Sequence, residues 1–521
     1  RQLWAASVAL LQEAIRGSEQ VEGLRKVLYR RMMDAGMLDK AKQGYETLLR
    51  ENPKNVEARY GLSMVYYSMG DMDAAVAQCD AAVKTDPNYG RIYLLRGSIC
   101  RARSDMDGAV KEVAKAVTIQ PLNLVFRLEL AKLYIEMEKY SKASEELLVA
   151  RKQEIGYAET HRLLLTVRMG QNDIPGAEQV ALDAMKLFPT SHNFPLSMAD
   201  LQRRQGKIEG VVKYLQVALE NRPDDVGILR SYLVALLDAK EFTTFKAQVQ
   251  QYYARKVDMP GLRALAALAK ARQNKKEEAR VQFLEVLGEV SGTPDESQVL
   301  GWMANAFGVD SLLQKSPELL AVSNTWRTNL ILGQLWFSKG NLAQAEAYFL
   351  RAQPLAKDAN AKLSVWRTLS EVYEQLKKYD KLESIYKEIL NQNPNDKRAM
   401  NNLAYFYIER KNQPEKGLPY ARKAARLWSG DMDIVDTYAW ALVKTGKYEE
   451  ALKHLKKVVR RGEQRPTFLY HMGFVLEKTG DKSEARHYYR LANTMLKTNP
   501  EHILRETVSK ALARVETTES K

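Results

Sequence analysis

Three segments of the chain repeat one pattern of residues: AKQGYETLLRENP at 41–53, AVAQCDAAVKTDP at 75–87 and AVKEVAKAVTIQP at 109–121. Each begins with alanine, ends with proline and starts 34 residues after the one before it. The spacing recurs later in the chain, at Ala143, Ala177, Ala279, Pro189 and Pro223. A fixed period of this length is typical of helix–turn–helix arrays, in which each unit covers an apolar face of its neighbour.

Individual positions within one period have separate structural tasks. In the unit at 56–89 we expect Leu62 to fill the seam between the two helices and Gly70 to turn the chain. Ala75 is small, so that two helix backbones can approach closely, and Pro87 ends the second helix because it lacks an N–H. Units of this kind are predicted at 22–55, 56–89, 90–123, 124–157, 158–191 and 192–225.

This pattern resembles that of tetratricopeptide repeats. The resemblance implies an all-α fold: a right-handed α-solenoid superhelix of about twelve to fourteen helix–turn–helix units with a C-terminal capping helix. Phase and spacing divide the chain into five parts. They are the second helix of a truncated preceding repeat (1–21), an N-terminal array (22–293), a degenerate repeat or hinge (294–325), a C-terminal array (326–499), and a capping helix with a tail (500–521).

The two ends of the chain carry amphipathic stripes. Residues 1–21 place Trp4, Val8, Leu11 and Ile15 on one face of a helix. In the repeat register this helix is the second half of a unit whose first half lies upstream, so we expect the chain to be a piece of a longer protein. The last helix carries an apolar stripe that would cover the final repeat, formed by Leu504, Val508, Ala511 and Val515.

The composition of the chain is typical of a folded helical array and does not identify a partner. The 521 residues are 45% hydrophobic and 27% charged, with a net charge of +15 that favours anionic partners in general. Cys79 and Cys100 lack metal-like spacing, and we expect them to be buried free thiols, although a disulfide between them stays open. No apolar run is long enough to cross a bilayer.

No catalytic signature is present in the sequence. The pairs Gly206-Lys207 and Gly446-Lys447 lack the upstream glycine and following hydroxyl of a phosphate-binding loop. Three histidines lie in the late repeats: His454, His471 and His487. We expect each to be solvated or singly hydrogen-bonded, and a metal site shared by them is the less favoured alternative. We therefore predict a protein that is not an enzyme and has no cofactor, no catalytic residues and no metal.

In this family the first helix of each repeat lines a concave groove, so the resemblance assigns groove positions to this sequence. The early positions are basic with aromatic and apolar patches, and the later ones are acidic and aromatic. The predicted partner-binding residues are Tyr60, Met64, Tyr67, Arg91, Arg101, Lys132, Arg162, Arg203, Arg230, Arg367, Phe406, Tyr470 and Phe474. Such a groove would hold an extended or helical peptide segment. The alternative is that the arginines only keep a long solenoid soluble.

Two specialisations of the family are not matched. The lysine, asparagine and arginine trio of the clamp for chaperone carboxyl termini is absent, as is the asparagine ladder of the nucleocytoplasmic glycosyltransferase.

The phrases NNLAY at 401–405, DTYAW at 436–440 and YHMG at 470–473 resemble the closing repeats of large bacterial envelope proteins of exopolysaccharide export and exosortase-type systems. This resemblance implies a periplasmic or cell-envelope location, with a cytoplasmic one as the alternative.

These observations predict a non-catalytic protein-interaction scaffold in a bacterial envelope or secretion assembly. A second hypothesis is binding of an anionic polymer, an acidic polysaccharide before nucleic acid, by a basic outer helix with Lys453, Lys456, Lys457, Arg460 and Arg461. Nucleic acid is disfavoured because no repeated base-reading code is visible. A third hypothesis is a regulatory arm of a larger enzyme or outer-membrane export pore.

Overall fold

The computed structural model describes residues 2–16, 21–460, 465–497 and 504–517. Within these ranges all regular structure is helical and no strand forms, which confirms the predicted all-α class. Several residues used in the sequence analysis lie outside the described part: the side chains of Trp4 and Arg460, and all of Arg461. None of the described helices has the length and apolar character that a membrane-spanning helix requires.

The first compact unit consists of Arg1–Leu187 with Leu427–Asp431. From α2 onward its helices pair as five hairpins, α2 with α3 through α10 with α11. The helices are α1 (Gln2–Arg16), α2 (Val21–Asp34), α3 (Leu38–Glu51), α4 (Val56–Met69), α5 (Met72–Thr85), α6 (Gly90–Ala102), α7 (Met106–Ile119), α8 (Leu124–Glu136), α9 (Tyr140–Gln153), α10 (Ala158–Gly170) and α11 (Ile174–Leu187).

The second compact unit consists of Phe188–Arg426 and Met432–Lys521. Eight regular hairpins and one irregular unit follow one another in it. Its first helices are α12 (Asn193–Arg204), α13 (Ile208–Asn221), α14 (Val226–Asp238), α15 (Phe242–Ala254), α16 (Met259–Arg272), α17 (Lys276–Glu289), α18 (Asp295–Phe307), α19 (Val309–Gln314) and α20 (Ser316–Val322). With the five hairpins of the first unit, the described chain holds fourteen helical units, within the predicted range.

Regular hairpins resume after α20. A π-helical turn, Phe406–Arg410, extends α25, and α31 follows the last hairpin. The remaining helices are α21 (Trp326–Ser338), α22 (Leu342–Leu355), α23 (Ala359–Gln375), α24 (Tyr379–Gln392), α25 (Lys397–Tyr405), α26 (Pro414–Leu427), α27 (Met432–Lys444), α28 (Tyr448–Arg460), α29 (Pro466–Lys478), α30 (Lys482–Lys497) and α31 (Arg505–Thr517).

Small residues allow the paired helices to pack closely. The repeated alanines Ala41, Ala75 and Ala109 are each 0% exposed. In the hairpin of α21 and α22, the ring of Phe349 lies over Gly333, where an added Cβ would come within 2.4 Å of a ring carbon. A larger residue at these positions would push the helices apart, since protein interiors are packed to the density of organic crystals.

The turns that set the period are closed by hydrogen bonds. Gly70 ends α4 with φ = 81°, a value that glycine adopts without strain. Asp71 then donates its N–H to the carbonyl of Tyr66 at 2.9 Å, and its carboxylate accepts the N–H of Ala74 at 3.0 Å. This one residue therefore caps the end of α4 and the start of α5. Helices α3, α5 and α7 each end two residues before the expected proline, at Pro53, Pro87 and Pro121.

The last helix covers the final hairpin, as predicted. Helix α31 buries Val508 against Leu469 on α29, and it buries Val515 near Tyr489 on α30.

Both cysteines are free thiols; Cys79 is buried and Cys100 is half-buried. Burial raises the pKa of the Cys79 thiol to about 11, so this thiol stays protonated at neutral pH.

The stretch 294–325 folds irregularly. Helix α18 takes the place of a first helix, but the second helix is divided into the short helices α19 and α20. Pro317 lies in the first turn of α20, where a proline is tolerated because its missing N–H would have no intrahelical partner. That this stretch acts as a hinge remains a prediction.

A buried carboxylate joins α18 to the chain that enters α21. Glu296 is 0% exposed, and its Oε1 accepts hydrogen bonds from the hydroxyls of Ser323 and Thr325, each at 2.6 Å, and from the hydroxyl of Thr328. Its Oε2 accepts the backbone N–H of Gly292 at 3.2 Å. Four donors thus converge on one side chain, and no lysine or arginine of the described residues forms an ion pair with it.

We predict that Glu296→Gln loosens this unit, because an amide NH₂ would face a donor at either oxygen position. The expected loss is about 1–3 kcal/mol of local stability, seen as faster hydrogen–deuterium exchange in α18 and α21 of the full chain. Glu278→Gln, at an exposed carboxylate on α17, is the control and should change exchange little. Equal protection in the two variants would contradict the role given to Glu296.

Candidate functional site

Three predicted partner-binding residues meet in one recess of the first unit. Tyr60 and Met64 on α4 and Arg91 on α6 border a cavity of about 140 Å³. We call it the tyrosine recess, defined by Lys26, Val27, Arg30, Met33, Tyr45, Glu57, Tyr60, Gly61, Met64, Tyr89 and Arg91. The predicted Tyr67 lies outside it and packs, half-buried, beside the cluster that contains Cys79.

Aromatic rings form the wall of the recess. Tyr60 and Tyr89 meet edge to face with their ring centroids 5.9 Å apart. Tyr45 is 5% exposed, and burial raises its pKa to about 12. Its ring packs against the backbone of Gly61, where a Cβ would come within 2.2 Å of a ring carbon. The missing side chain at Gly61 therefore leaves room for the ring.

The rim of the recess is positively charged. Lys26 is neutralised by Glu57 at 2.8 Å and Glu22 at 3.0 Å. Arg30 and Arg91 are exposed, and neither forms an ion pair with any residue that the structure describes. Burial raises the pKa of Tyr60, and the two guanidiniums act on it in the opposite direction, which places both charges close to its ring.

The other predicted basic residues of the first unit are engaged in ion pairs. Arg101 pairs with Glu136, and Arg162 forms a two-point contact with Glu159, with both nitrogen–oxygen distances at 2.7 Å. Lys132 lies 3.5 Å from the same Glu159 carboxylate. These contacts link α6, α8 and α10, so this part of the predicted basic stripe is largely neutralised by the chain itself.

Two predicted arginines border a larger cavity in the second unit. Arg203 and Arg230 lie on a cavity of about 390 Å³ with Trp302 among its lining residues. Nε and Nη2 of Arg230 each lie 2.6 Å from one carboxylate oxygen of Asp258, and Nη1 lies 3.2 Å from Oδ1 of Asp295. Arg203 pairs with Asp200 at 2.6 Å. The charges at this cavity are therefore compensated within the chain.

The predicted groove residues on α23 and in the π-helical turn differ in their exposure. Arg367 is exposed and pairs with Asp396 at 2.7 Å. Phe406 is only 2% exposed and belongs to the hydrophobic core, so it cannot contact a partner. It lies nine residues after the first residue of α25, whereas Met64 lies eight residues after the first residue of α4, so the predicted register is one residue too late here. The preceding residue, Tyr405, is 41% exposed.

Tyr470 and Phe474 on α29 pack around Trp440 of α27. We call Trp440, Tyr470, His471 and Phe474 the tryptophan cluster. The Trp440 ring stacks on His471 with centroids 3.9 Å apart and meets Phe474 edge to face at 5.5 Å. Its indole N–H donates to Glu409 at 2.6 Å. The cluster therefore holds a carboxylate in place on a mostly aromatic surface.

The late histidines have separate partners. Nδ1 of His471 lies 2.9 Å from both carboxylate oxygens of Asp436, and both side chains are buried. The ring of His454 meets Tyr438, and that of His487 meets Tyr488. Among the described residues no group of three or more histidine, cysteine or carboxylate side chains is placed to hold a metal ion.

Sequence reasoning did not identify Arg30, Tyr89 and Tyr405. For Arg30 a signal existed, since the offset within the repeat that selects Met64 also selects Arg30 in the preceding unit. Tyr89 lies in the turn before α6, outside the helical positions that were considered. Tyr405 lies eight residues after the first residue of α25, as Met64 does in α4, so the correct start of this helix would have identified it.

Comparison with known proteins agrees with the repeat pattern. Residues 32–99 and 324–498 match family models that are both described as tetratricopeptide repeat. These two parts of the chain are therefore similar to tetratricopeptide repeats. Human tetratricopeptide repeat protein 13 is 25% identical over 120 residues, which are 22% of this chain and only 14% of that relative's length.

The solved structures that resemble the chain have low sequence identity to it. The Cut9 and Hcn1 hetero-tetramer of the APC/C is 15% identical with a TM-score of 0.36, and covers 99% of this chain and 93% of that one. PilW, a type IV pilus biogenesis factor, is 15% identical with a TM-score of 0.35, and covers 42% of this chain and 100% of that one.

A titratable carboxylate, Glu477, joins the last repeat to α31. Glu477 accepts hydrogen bonds from Arg514 at 2.6 and 2.7 Å and from the hydroxyl of Tyr489 at 2.9 Å. Burial raises the pKa of Glu477, but these donors outweigh burial and hold the pKa below its usual range. A lowered pKa in the folded state gives stability that is present above the ordinary carboxylate pKa and is lost as pH falls through the folded value.

We therefore predict that α31 loosens as the pH is lowered below the ordinary carboxylate pKa of about 4, and that Glu477→Gln removes most of this dependence. Hydrogen–deuterium exchange of α31, corrected for the intrinsic effect of pH, measures the change. Glu484→Gln, at an exposed carboxylate on α30, should keep the pH dependence of the parent chain. If α31 responds to acid alike in both variants, Glu477 is not the responsible group.

Proposed function

We propose that the chain is a non-catalytic protein-interaction scaffold that binds a segment of a partner protein in the tyrosine recess. The observation that supports this is the pair of exposed guanidiniums, Arg30 and Arg91, left without ion-pair partners among the described residues. Most other predicted groove cations are neutralised by carboxylates of the chain. Uncompensated charge beside half-buried aromatic rings is suited to an incoming anionic group.

The recess fits a peptide that carries a carboxylate next to an apolar residue. Arg30 and Arg91 would bind the carboxylate from the two sides of Tyr60. Met33 and Met64 offer flexible apolar surface, and thioether side chains adapt to irregular shapes. The apolar contact would supply most of the affinity, while the charges would fix the register of the peptide.

The assembly that the scaffold serves is proposed from the C-terminal phrases alone. Their resemblance to bacterial exopolysaccharide export and exosortase-type proteins suggests an envelope or secretion assembly and a periplasmic location. A cytoplasmic location, or a role as the regulatory arm of a larger enzyme or export pore, are the alternatives. An anionic polysaccharide is the alternative partner, and the exposed lysines Lys453 and Lys456 on the outer face of α28 favour it.

Charge reversal at the recess should abolish binding of an acidic peptide. We predict that Arg30→Glu and Arg91→Glu each weaken binding of a fluorescein-labelled peptide ending in leucine and aspartate by about tenfold or more, because each removes a charge-assisted contact and adds repulsion. Fluorescence anisotropy on the full chain measures this. Lys111→Glu, at an exposed lysine on the outer helix α7, makes the same charge change away from the recess and should bind like the parent.

Two outcomes would overturn this proposal. One is peptide affinity that is the same in the recess variants and in Lys111→Glu. The other is tight binding of an acidic polysaccharide that is lost on charge reversal at Lys453 and Lys456, with affinity that falls steeply as salt is added. The second outcome would favour the polymer alternative.

A further inference from the structure

We infer that the second unit contains a binding site for a small apolar carboxylic acid, a ligand with one carboxylate on a group about the size of a benzene ring. The site is a cavity of about 160 Å³ between α17, α18, α19 and α20. We call it the split-helix cavity, because the divided second helix of the irregular unit forms one of its walls. It is separate from the tyrosine recess and does not depend on the scaffold function proposed above.

The position of the cavity follows from the break in the second helix of this unit. A regular hairpin has one continuous second helix, whereas here α19 ends at Gln314 and α20 begins at Ser316. Residues on both sides of the break line the cavity: Ser311 and Leu312 from α19, and Glu318 and Leu319 from α20. The cavity is therefore a product of the irregular fold at 294–325.

Hydrogen bonds fix the wall that α20 contributes. At the start of this helix, the hydroxyl of Tyr348 donates to the hydroxyl of Ser316 at 2.7 Å, and both side chains are buried. Just after its end, the hydroxyl of Ser323 donates to the buried carboxylate of Glu296 at 2.6 Å. Both ends of α20 are thus held by the chain itself. A ligand that enters a preformed cavity loses little affinity to rearrangement of the protein.

The interior of the cavity is apolar. Its apolar lining residues are Leu284, Met303, Phe307, Leu312 and Leu319. The ring of Phe307 is supported from behind by Phe283, which it meets edge to face with centroids 5.9 Å apart. A cavity of about 150 Å³ lined by leucine, isoleucine and phenylalanine stays dry and binds benzene. The split-helix cavity has a similar volume and lining, so one six-membered ring or a short alkyl chain would fit it.

The charged residues of the lining leave one positive charge uncompensated. They are three cations and two carboxylates: Lys276, Arg280, Lys315, Glu277 and Glu318. Arg280 binds both carboxylates, with 2.9 Å to Glu277. Lys276 and Lys315 are exposed, and neither forms an ion pair with any residue in the part of the chain that the structure describes. The two ammonium groups therefore favour an anion, and the nearby carboxylates disfavour a ligand with several negative charges.

Apolar lining and uncompensated charge together select the ligand. A ring or short alkyl chain would be buried among the leucines, while its carboxylate stays on the exposed side with Lys276 and Lys315. The carboxyl-terminal residue of a protein has the same chemistry. We assign the cavity to a free acid because the ring alone accounts for its volume, which leaves no space for the α-amide of a peptide. Such a ligand should bind with a dissociation constant of about 1 mM or less.

Saturation-transfer difference NMR on the full chain, with 3-phenylpropionate as the probe, tests the charged part of the site. Lys276→Gln with Lys315→Gln should weaken binding about three- to tenfold, because both ammonium groups are lost. The neutral analogue 3-phenylpropanamide should bind this variant and the parent equally. The matched control is Lys246→Gln with Lys416→Gln, which removes two exposed lysines of α15 and α26 and should leave binding of the acid unchanged.

A second pair of variants tests the apolar part. Ser311 is half-buried in the cavity wall, so Ser311→Phe places a ring where the ligand would lie and should weaken binding about tenfold or more. Gln314→Phe adds the same ring at an exposed position of the same helix, outside the lining, and should bind like the parent. In the parent, the ring protons of the probe should receive more saturation than the methylene protons next to its carboxylate.

The inference is overturned if 3-phenylpropionate does not bind at several millimolar, if the two lysine variants bind it alike, or if Ser311→Phe binds it like Gln314→Phe. Tighter binding of N-acetylphenylalanine than of 3-phenylpropionate would also overturn it, in favour of a protein carboxyl terminus. The leucine–aspartate peptide should bind all of these variants like the parent. Failure at the split-helix cavity is thereby distinguished from failure of the tyrosine recess, because each has its own probe and its own variants.

Discussion

The close approach of helix backbones within each hairpin is the constraint on which the rest of the structure depends. Ala41, Ala75 and Ala109 have no exposed surface, and each lies where a second helix meets a first helix. Only a small residue fits there, so the spacing of alanines fixes the spacing of hairpins. Because first helices recur at this interval, their side chains form surfaces built from several repeats, as in the tyrosine recess, which combines α2, α4 and α6.

The function of such a surface depends on which charges the array leaves uncompensated. Arg101, Arg162 and Arg230 are at predicted groove positions, yet carboxylates one repeat away or on the same helix bind them. The pairs of Arg101 and Arg230 connect neighbouring repeats, and all three pairs reduce the charge that a partner would otherwise meet. Arg30 and Arg91 in the first unit have no such partners among the described residues.

The sequence predicts the fold well because the same steric requirements recur at the same positions of each repeat. Prolines at 53, 87 and 121 end helices, and the glycine at 70 adopts a positive φ, so the helical units could be placed before the structure was known. Side-chain pairing is a different matter. Nothing in the residue type of Arg230 indicates that Asp258 will bind it, since the two lie in different hairpins and their approach depends on packing. The start of α25 at Lys397 likewise places Tyr405, and not Phe406, at the position equivalent to Met64, and Phe406 lies in the core.

Substitution of a repeated alanine tests the central claim most directly. Ala75→Leu adds bulk at a position with no exposed surface, whereas Ala77→Leu adds the same atoms on the solvent side of the same helix, α5. The account predicts that Ala75→Leu costs about 1–3 kcal/mol of local stability, seen as faster hydrogen–deuterium exchange in α4 and α6, and that Ala77→Leu leaves exchange unchanged. Equal exchange in the two variants would show that close helix approach does not hold the array together.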